Sequence, residues 1–205
     1  MARTVLDPFY LIVGDVAALE RLVPLGVRLV QLRLKDRSET DLRHQISRAR
    51  DMCAAYGTQL VVNDHWRIAL DLRCNFVHLG QEDMDSADFT ALRLAGIRFG
   101  LSTHDRAELD RALSHRPAYV ALGPVYPTKL KKMAWGPQGL DRVREWRQLT
   151  GDIPLVGIGG LTVDRLPGLF AAGADSAAVV TDIQLAPDPA ARCRDWIGAT
   201  REHAQ

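Results

Sequence analysis

The chain has 205 residues and a formal charge of +1 at neutral pH, with a quarter of its residues charged. That length suits one domain with a sizeable core, and the near-neutral balance excludes a general pull toward nucleic acid or membrane. Any anion chemistry must come from local placement. Cys53, Cys74 and Cys193 are too few and too scattered for a disulfide framework or a zinc site. They read as free thiols in a reducing compartment. Residues 1–7 carry no apolar run of signal-peptide length, and no stretch is long enough to span a bilayer. These features predict a soluble cytoplasmic protein.

Taken in chain order, apolar runs at 9–13, 29–34, 60–62, 76–79, 99–101, 119–122, 155–158 and 177–180 predict eight strands. Between them, apolar residues at i, i+3 and i+4 predict helices at 16–25, 41–55, 67–72, 105–113 and 140–149. Gly26, Gly57, Gly96 and Gly173 fall just after helical runs, where a left-handed cap favours glycine. Thr162 and Asp164 suit the start of a seventh helix, and Asp188-Pro189 the start of an eighth. Eight strand–helix units imply a parallel sheet, either open and doubly wound or closed. Polar groups at the ends of many different strands favour closure, which makes the expected fold α/β, a single (β/α)8 barrel over 1–205. The stretch 124–139 is too long for an ordinary βα loop and reads as an active-site loop.

Strand ends carry the chemistry. In Gln31-Leu32-Arg33-Leu34-Lys35, alternation places Gln31, Arg33 and Lys35 on one face and Leu32 and Leu34 on the other. In a barrel the apolar face meets the helices, so an amide and two cations turn inward. Arginine's planar fork and lysine's point charge together suit a diphosphate. Asn63-Asp64 ends the third strand, and Gln81-Glu82-Asp83 follows the fourth. Carboxylates from adjacent strand ends beside two cations make a plausible Mg2+ seat, although either pair alone reads as turn or cap residues. Ser102-Thr103-His104 closes the fifth strand. Ser102 suits a donor to a phosphate oxygen, whereas His104 reads equally as a proton carrier or a capping residue. His78, inside a strand, reads as a hydrogen-bonded core residue. The loop after the sixth strand brings Thr128, Lys129, Lys131 and Lys132 to the mouth, and flexible lysines are most often simply solvated. Gly157-Ile158-Gly159-Gly160 and Val179-Val180-Thr181 end the last two strands, where such barrels build phosphate sites from backbone N–H groups. Two anion sites in one barrel suggest a group transfer.

These motifs, in this order, resemble the thiamine phosphate synthase family, and the likeness covers nearly the whole chain. The family pattern joins Gln-Leu-Arg-x-Lys, Asn-Asp, His-Leu-Gly-Gln-x-Asp, Ser-Thr-His, Gly-Pro-x-aromatic-Pro-Thr-x-Thr-Lys, Ile-Gly-Gly and Val-Val-Ser. The resemblance implies that Gln31, Arg33, Lys35, Asn63, Ser102 and Lys131 hold an aminopyrimidine and its diphosphate. Arg33, Lys35, Ser102 and Lys131 are then the expected catalytic set, Asp64 and Asp83 the ligands of one Mg2+. It further implies that Thr128, Gly160, Val180 and Thr181 receive a thiazole phosphate. Leu32 and Leu34 on the basic strand, with Lys129 and Leu130 in the loop, complete the expected substrate-binding set. In the family the diphosphate leaves first and the thiazole nitrogen attacks the resulting pyrimidine-methyl cation, so no histidine need be catalytic.

Three positions depart from the pattern. Leu34 replaces a commoner Glu, Thr181 replaces Ser, and Leu130 replaces a Thr that would contact the thiazole phosphate. Leu130 predicts weakened thiazole binding. Competing readings are a thiazole tautomerase using His104, a non-catalytic paralogue binding thiamine precursors, and an unrelated phosphosugar barrel. The first and last leave the basic strand and its carboxylates unexplained. The expected partners are the two small substrates, without nucleic acid or membrane. Helix faces rich in Leu and Ala suit either a core or a homo-oligomeric contact.

Overall fold

A computed structural model describes residues 6–128 and 136–202. Eight parallel strands pair in chain order: β1 (Phe9–Val13), β2 (Leu29–Leu32), β3 (Gln59–Asn63), β4 (Phe76–Leu79), β5 (Arg98–Thr103), β6 (Tyr119–Leu122), β7 (Leu155–Ile158) and β8 (Ser176–Val179). β8 pairs back onto β1, with Phe9 opposite Ala177, so the sheet closes into a barrel. Closure removes the exposed edges that an open sheet would leave.

The helices are α1 (Val16–Leu22), α2 (Glu39–Ala55), α3 (Trp66–Asp71), α4 (Gln81–Ser86), α5 (Phe89–Leu94), α6 (Arg106–Ser114), α7 (Gly139–Thr150), α8 (Leu166–Ala171), α9 (Thr181–Gln184) and α10 (Pro189–Glu202). Several start where a side chain can satisfy an orphan N–H. The Asp15 carboxylate accepts from Ala18 N at 2.7 Å, Ser38 from Asp41 N at 3.2 Å, and Asp105 from Glu108 N at 2.9 Å. Gly26, Gly57, Gly96 and Gly173 all take positive φ, as their places after helical runs require. Three helices, α4, α5 and α9, were not anticipated. α4 and α5 have six residues each, too short to display a full apolar repeat, and α4 makes a helix N-terminus of the Gln81-Glu82-Asp83 stretch.

Alternation along the strands builds two apolar layers. Phe9, Leu11 and Val13 of β1, with Val30 and Leu32 of β2, pack outward against α1, α2 and α10 in the larger layer. Tyr10, Ile12, Leu29, Val61, Phe76, Tyr119, Val156 and Ala178 turn inward and plug the barrel's interior. Burying each large inward side chain is worth about 1.5–3 kcal/mol, so the plug is a substantial share of the stability. One glycine makes the plug possible. A Cβ on Gly100 of β5 would lie 2.1 Å from the Tyr119 ring, so the missing side chain is the space that Tyr119 fills. Gly100→Ala is therefore expected to displace the ring and destabilise the fold by about 1–3 kcal/mol, read as a lowered urea midpoint.

Candidate active site

All eight strands point their C-terminal ends at a cavity of about 860 Å³. Its wall includes Gln31, Arg33 and Lys35 after β2, Asn63 and Asp64 after β3, and Gly80 to Asp83 after β4. Ser102 to His104 of β5, Gly123, Pro124 and Thr128 after β6, Gly159 and Gly160 after β7, and Val180 and Thr181 after β8 complete it. Strand order alone sets the division of labour. The cations and carboxylates come from β2 to β4, and the glycine and helix-end groups come from β7 and β8 across the barrel.

The basic strand end is held open by backbone pairing. Arg33 N donates to Val13 O at 2.9 Å, which extends the β2 direction past its last ladder residue. Gln31 is buried while Arg33 and Lys35 are exposed at the mouth, so the two cations meet solvent rather than the core. Leu32 and Leu34 lie in the outer apolar layer, 1% and 0% exposed, and neither side chain lines the cavity. Only their backbone groups are left to face a ligand.

Asp64 adopts a left-handed φ of 62°, a conformation that Asp tolerates better than most residues and that turns its carboxylate across the mouth. Its N–H donates to His78 O at 2.9 Å, which fixes the turn to β4. The Lys35 ammonium is paired with the Asp64 carboxylate. Asp83 stands at the third position of α4, where its carboxylate accepts from Gly80 N at 3.1 Å, and it also reaches Asp64. Burial works against the Asp64 charge, yet the Lys35 ammonium outweighs it and holds that carboxyl below the usual range. Burial, and then the adjacent Asp64 charge, push the Asp83 carboxyl up. Two carboxyl groups thus share one corner with a single lysine between them and solvent. No group of three or more metal-ligating side chains gathers among the described residues.

Across the barrel, the segment after β6 lies against the end of β7. Val125 N donates to Ile158 O at 2.8 Å and Tyr126 N to Gly159 O at 3.0 Å. The glycine pair is needed for this packing: with φ of 96° and 64°, Cβ atoms would come within 2.7 Å of Pro124 Cα and 2.5 Å of Pro127 O. Close approach here is to the chain's own backbone as well as to the cavity. The loop that begins at Pro124 is also tied at its far foot, where Gln138 N donates to Pro124 O at 2.7 Å and Gly139 N to Val125 O at 2.9 Å. Thr181 lines the cavity and opens the four-residue α9, where Ile183 N and Gln184 N donate to Val180 O at 3.3 and 2.9 Å. Lys129, Leu130, Lys131 and Trp135 lie outside the described residues.

The remaining polar groups sort clearly. His78 is a buried core histidine, with Nδ1 2.8 Å from Tyr119 Oη and Nε2 2.8 Å from Ser102 Oγ. His104 is held through both its N–H and its ring to Glu108, at 2.7 and 2.8 Å. His65 caps α3 and turns its ring to Leu34 O at 3.3 Å, which props the basic strand end. Gln81, part of the Gln81-Glu82-Asp83 stretch, donates through Nε2 to Ser102 O at 2.6 Å. Two contributors are not evident from motif reading: the phenols of Tyr10 and Tyr119, which meet at 2.8 Å on the cavity wall. A tyrosine on an inward strand position is the one trace each leaves in the sequence.

A model of the family described as thiamine monophosphate synthase matches residues 9–183. The chain belongs to the thiamine monophosphate synthase family. Membership makes it a transferase of thiamine biosynthesis. A thiamine-phosphate synthase from Rhizobium etli is 59% identical over 195 residues, covering 95% of this chain and 96% of the relative. One from Klebsiella pneumoniae is 44% identical over 179 residues, covering 87% of this chain and 85% of the relative. Among solved structures, a thiamine phosphate pyrophosphorylase from Pyrococcus furiosus superposes with a TM-score of 0.84 at 23% identity, covering 97% of this chain and 98% of that one. That likeness establishes the synthase barrel as a fold.

His78 gives the fold of this family member a pH dependence. Burial pushes its pKa from an ordinary 6.5 down to about 4. Between those values the unfolded chain binds a proton that the folded chain refuses, so stability falls as pH drops through the window. The expected loss is on the order of 3 kcal/mol across it, and urea midpoints measured from neutral pH downward should fall more steeply in the wild type than in His78→Gln.

Proposed function

We propose that this chain condenses 4-amino-2-methyl-5-hydroxymethylpyrimidine diphosphate with a thiazole phosphate, or its carboxylated form, giving thiamine phosphate and diphosphate. The observation that carries the reading is the two-sided cavity. Arg33, Lys35, Asp64, Asp83 and Ser102 face one side, while Gly160, Thr181 and Thr128 face the other. One side suits a metal-bound diphosphate, and the other suits a phosphate monoester on backbone and hydroxyl donors. The chain acts as one barrel domain in the cytoplasm, with 124–139 as the loop over its mouth.

Asp64 and Asp83 fit one Mg2+, since their carboxyl groups meet at one corner, where burial and then the Asp64 charge push the Asp83 carboxyl up. When bound, Mg2+ supplies positive charge to the diphosphate oxygens. Arg33 and Lys35 add fixed positive charge at the same corner. Lys35 is held at this corner by Asp64, and its ammonium would turn from that carboxylate to the diphosphate as the metal takes its place. Gln31 and Asn63, both buried and lining the cavity, orient the aminopyrimidine. Diphosphate leaves from the pyrimidine methylene carbon, and the thiazole nitrogen, held opposite by the Gly160–Thr181 side, closes on the cation. The inward apolar plug excludes water from beneath. Lys131 serves the diphosphate and Leu130 faces the thiazole phosphate, both on the strength of the family pattern.

Purified protein mixed with both substrates is expected to form thiamine phosphate, followed as fluorescent thiochrome, with Mg2+ and not with EDTA. Asp64→Ala or Lys35→Ala should lower kcat about 30- to 1000-fold, as removal of one transition-state charge contact does. Thiochrome formation that ignores EDTA would rule out the metal assignment. Leu130→Thr should lower the KM for the thiazole phosphate roughly fivefold by restoring one hydroxyl donor, and an unchanged KM would remove that residue from the site.

A further inference from the structure

Five polar side chains from five strands join into one line across the barrel floor. Gln31 Nε2 donates to Tyr10 Oη at 2.9 Å, and Tyr10 Oη meets Tyr119 Oη at 2.8 Å. Tyr119 Oη meets His78 Nδ1 at 2.8 Å, and His78 Nε2 meets Ser102 Oγ at 2.8 Å. The Tyr119 and His78 rings lie nearly parallel, 11° apart, in the space left by Gly100. All five side chains line the cavity, and Gln31 and Ser102 are the two ends of the line.

Counting hydrogens gives the line a direction. Burial holds both phenols in the hydroxyl form, so each has one hydrogen to place. The Gln31 nitrogen is a donor only, which leaves Tyr119 Oη as the one acceptor for the Tyr10 hydrogen among the described residues. Tyr119 must then place its own hydrogen on His78 Nδ1. An imidazolium there would leave a buried hydroxyl hydrogen without an acceptor, at full desolvation cost. His78 is therefore a neutral imidazole protonated at Nε2, and that N–H donates to Ser102 Oγ. Ser102, having accepted, has its own hydrogen left for the cavity. At the opposite end Gln31, with one N–H on Tyr10, turns Oε1 away from Tyr10 as an acceptor and keeps its second N–H beside it.

We propose that Tyr119 and His78 are positioning residues that fix Ser102 as a donor and Gln31 as an acceptor toward the bound pyrimidine diphosphate. The inference rests on the substrate reading above. A phosphoryl oxygen can only accept, so it needs the Ser102 hydrogen; an exocyclic amine donates, so it needs Gln31 Oε1. The reverse direction would set lone pair against lone pair at one end and donor against donor at the other. No proton changes hands; the line sets polarity only.

The test is a long-range 1H–15N correlation spectrum of the substrate-free protein labelled with 15N-histidine. His78 is assigned by its loss in His78→Asn or, should that variant not fold, by contacts to the Tyr119 ring. The expected spectrum shows His78 protonated at Nε2 with a bare Nδ1. A proton on Nδ1, or on both nitrogens, overturns the proposal. In Tyr119→Phe the single tautomer should be lost, and kcat/KM for the pyrimidine diphosphate should fall about tenfold or more. Retention of both would equally overturn it. The tautomer is read without substrate, so a protein with no synthase activity and an Nε2–H His78 would refute the substrate reading while leaving the line's direction intact.

Discussion

Inside a closed barrel of parallel strands, an inward polar side chain has no solvent to turn to, so it must be satisfied by another inward side chain. That constraint shapes this protein from the floor upward. Leu29, Val61, Phe76 and Val156 fill the interior without polar atoms, and the polar side chains packed among them are the linked set Gln31, Tyr10, Tyr119, His78 and Ser102. A half-satisfied set at this depth would be worse than an apolar plug, because each orphaned group keeps its full desolvation cost. The set is linked from end to end, and its members lie on the cavity wall.

Beyond that set the balance shifts from hydrogen bonds to charge. Lys35, Asp64 and Asp83 form a cluster whose negative members outnumber the lysine, with Arg33 exposed nearby. Across the mouth, the Gly159–Gly160 turn, Thr128 and Thr181 line the cavity with backbone and hydroxyl groups instead of side-chain charge. One side of the cavity is thus charged, with two cations and two carboxylates, and the other is built of glycine backbone and hydroxyl groups. Their separation follows from strand order rather than from any single motif.

Much of this was legible in the residues. β1, β4, β6 and β7 fall on the same residues as the apolar runs at 9–13, 76–79, 119–122 and 155–158, since turn residues bound those runs on both sides. The outward placement of Leu32 and Leu34 follows from simple alternation, as does the inward placement of Gln31. Other features left no such mark. α4 and α5 are too short for periodicity, so Asp83 read as a loop residue although it stands in a helix's first turn. Tyr10 and Tyr119 sit in apolar runs where a ring looks like packing, and only their 2.8 Å contact reveals the hydroxyls as partners. The Gly159–Gly160 pair suggested room for a ligand, whereas its carbonyl and ring neighbours at 124–127 show that self-packing demands it too.

The paired feet of the loop after β6 have a consequence for how such a barrel diverges. Because Gln138 and Gly139 hydrogen-bond back to Pro124 and Val125, the excursion between them leaves and re-enters the framework at nearly one point. Residues added or removed within it change only a closure entropy that grows slowly with length, about 0.6 kcal/mol per doubling. The barrel below need not register the change. The feet at 124–125 and 138–139 thus act as a clasp, whose own hydrogen bonds hold the two ends together whatever length of chain runs between them.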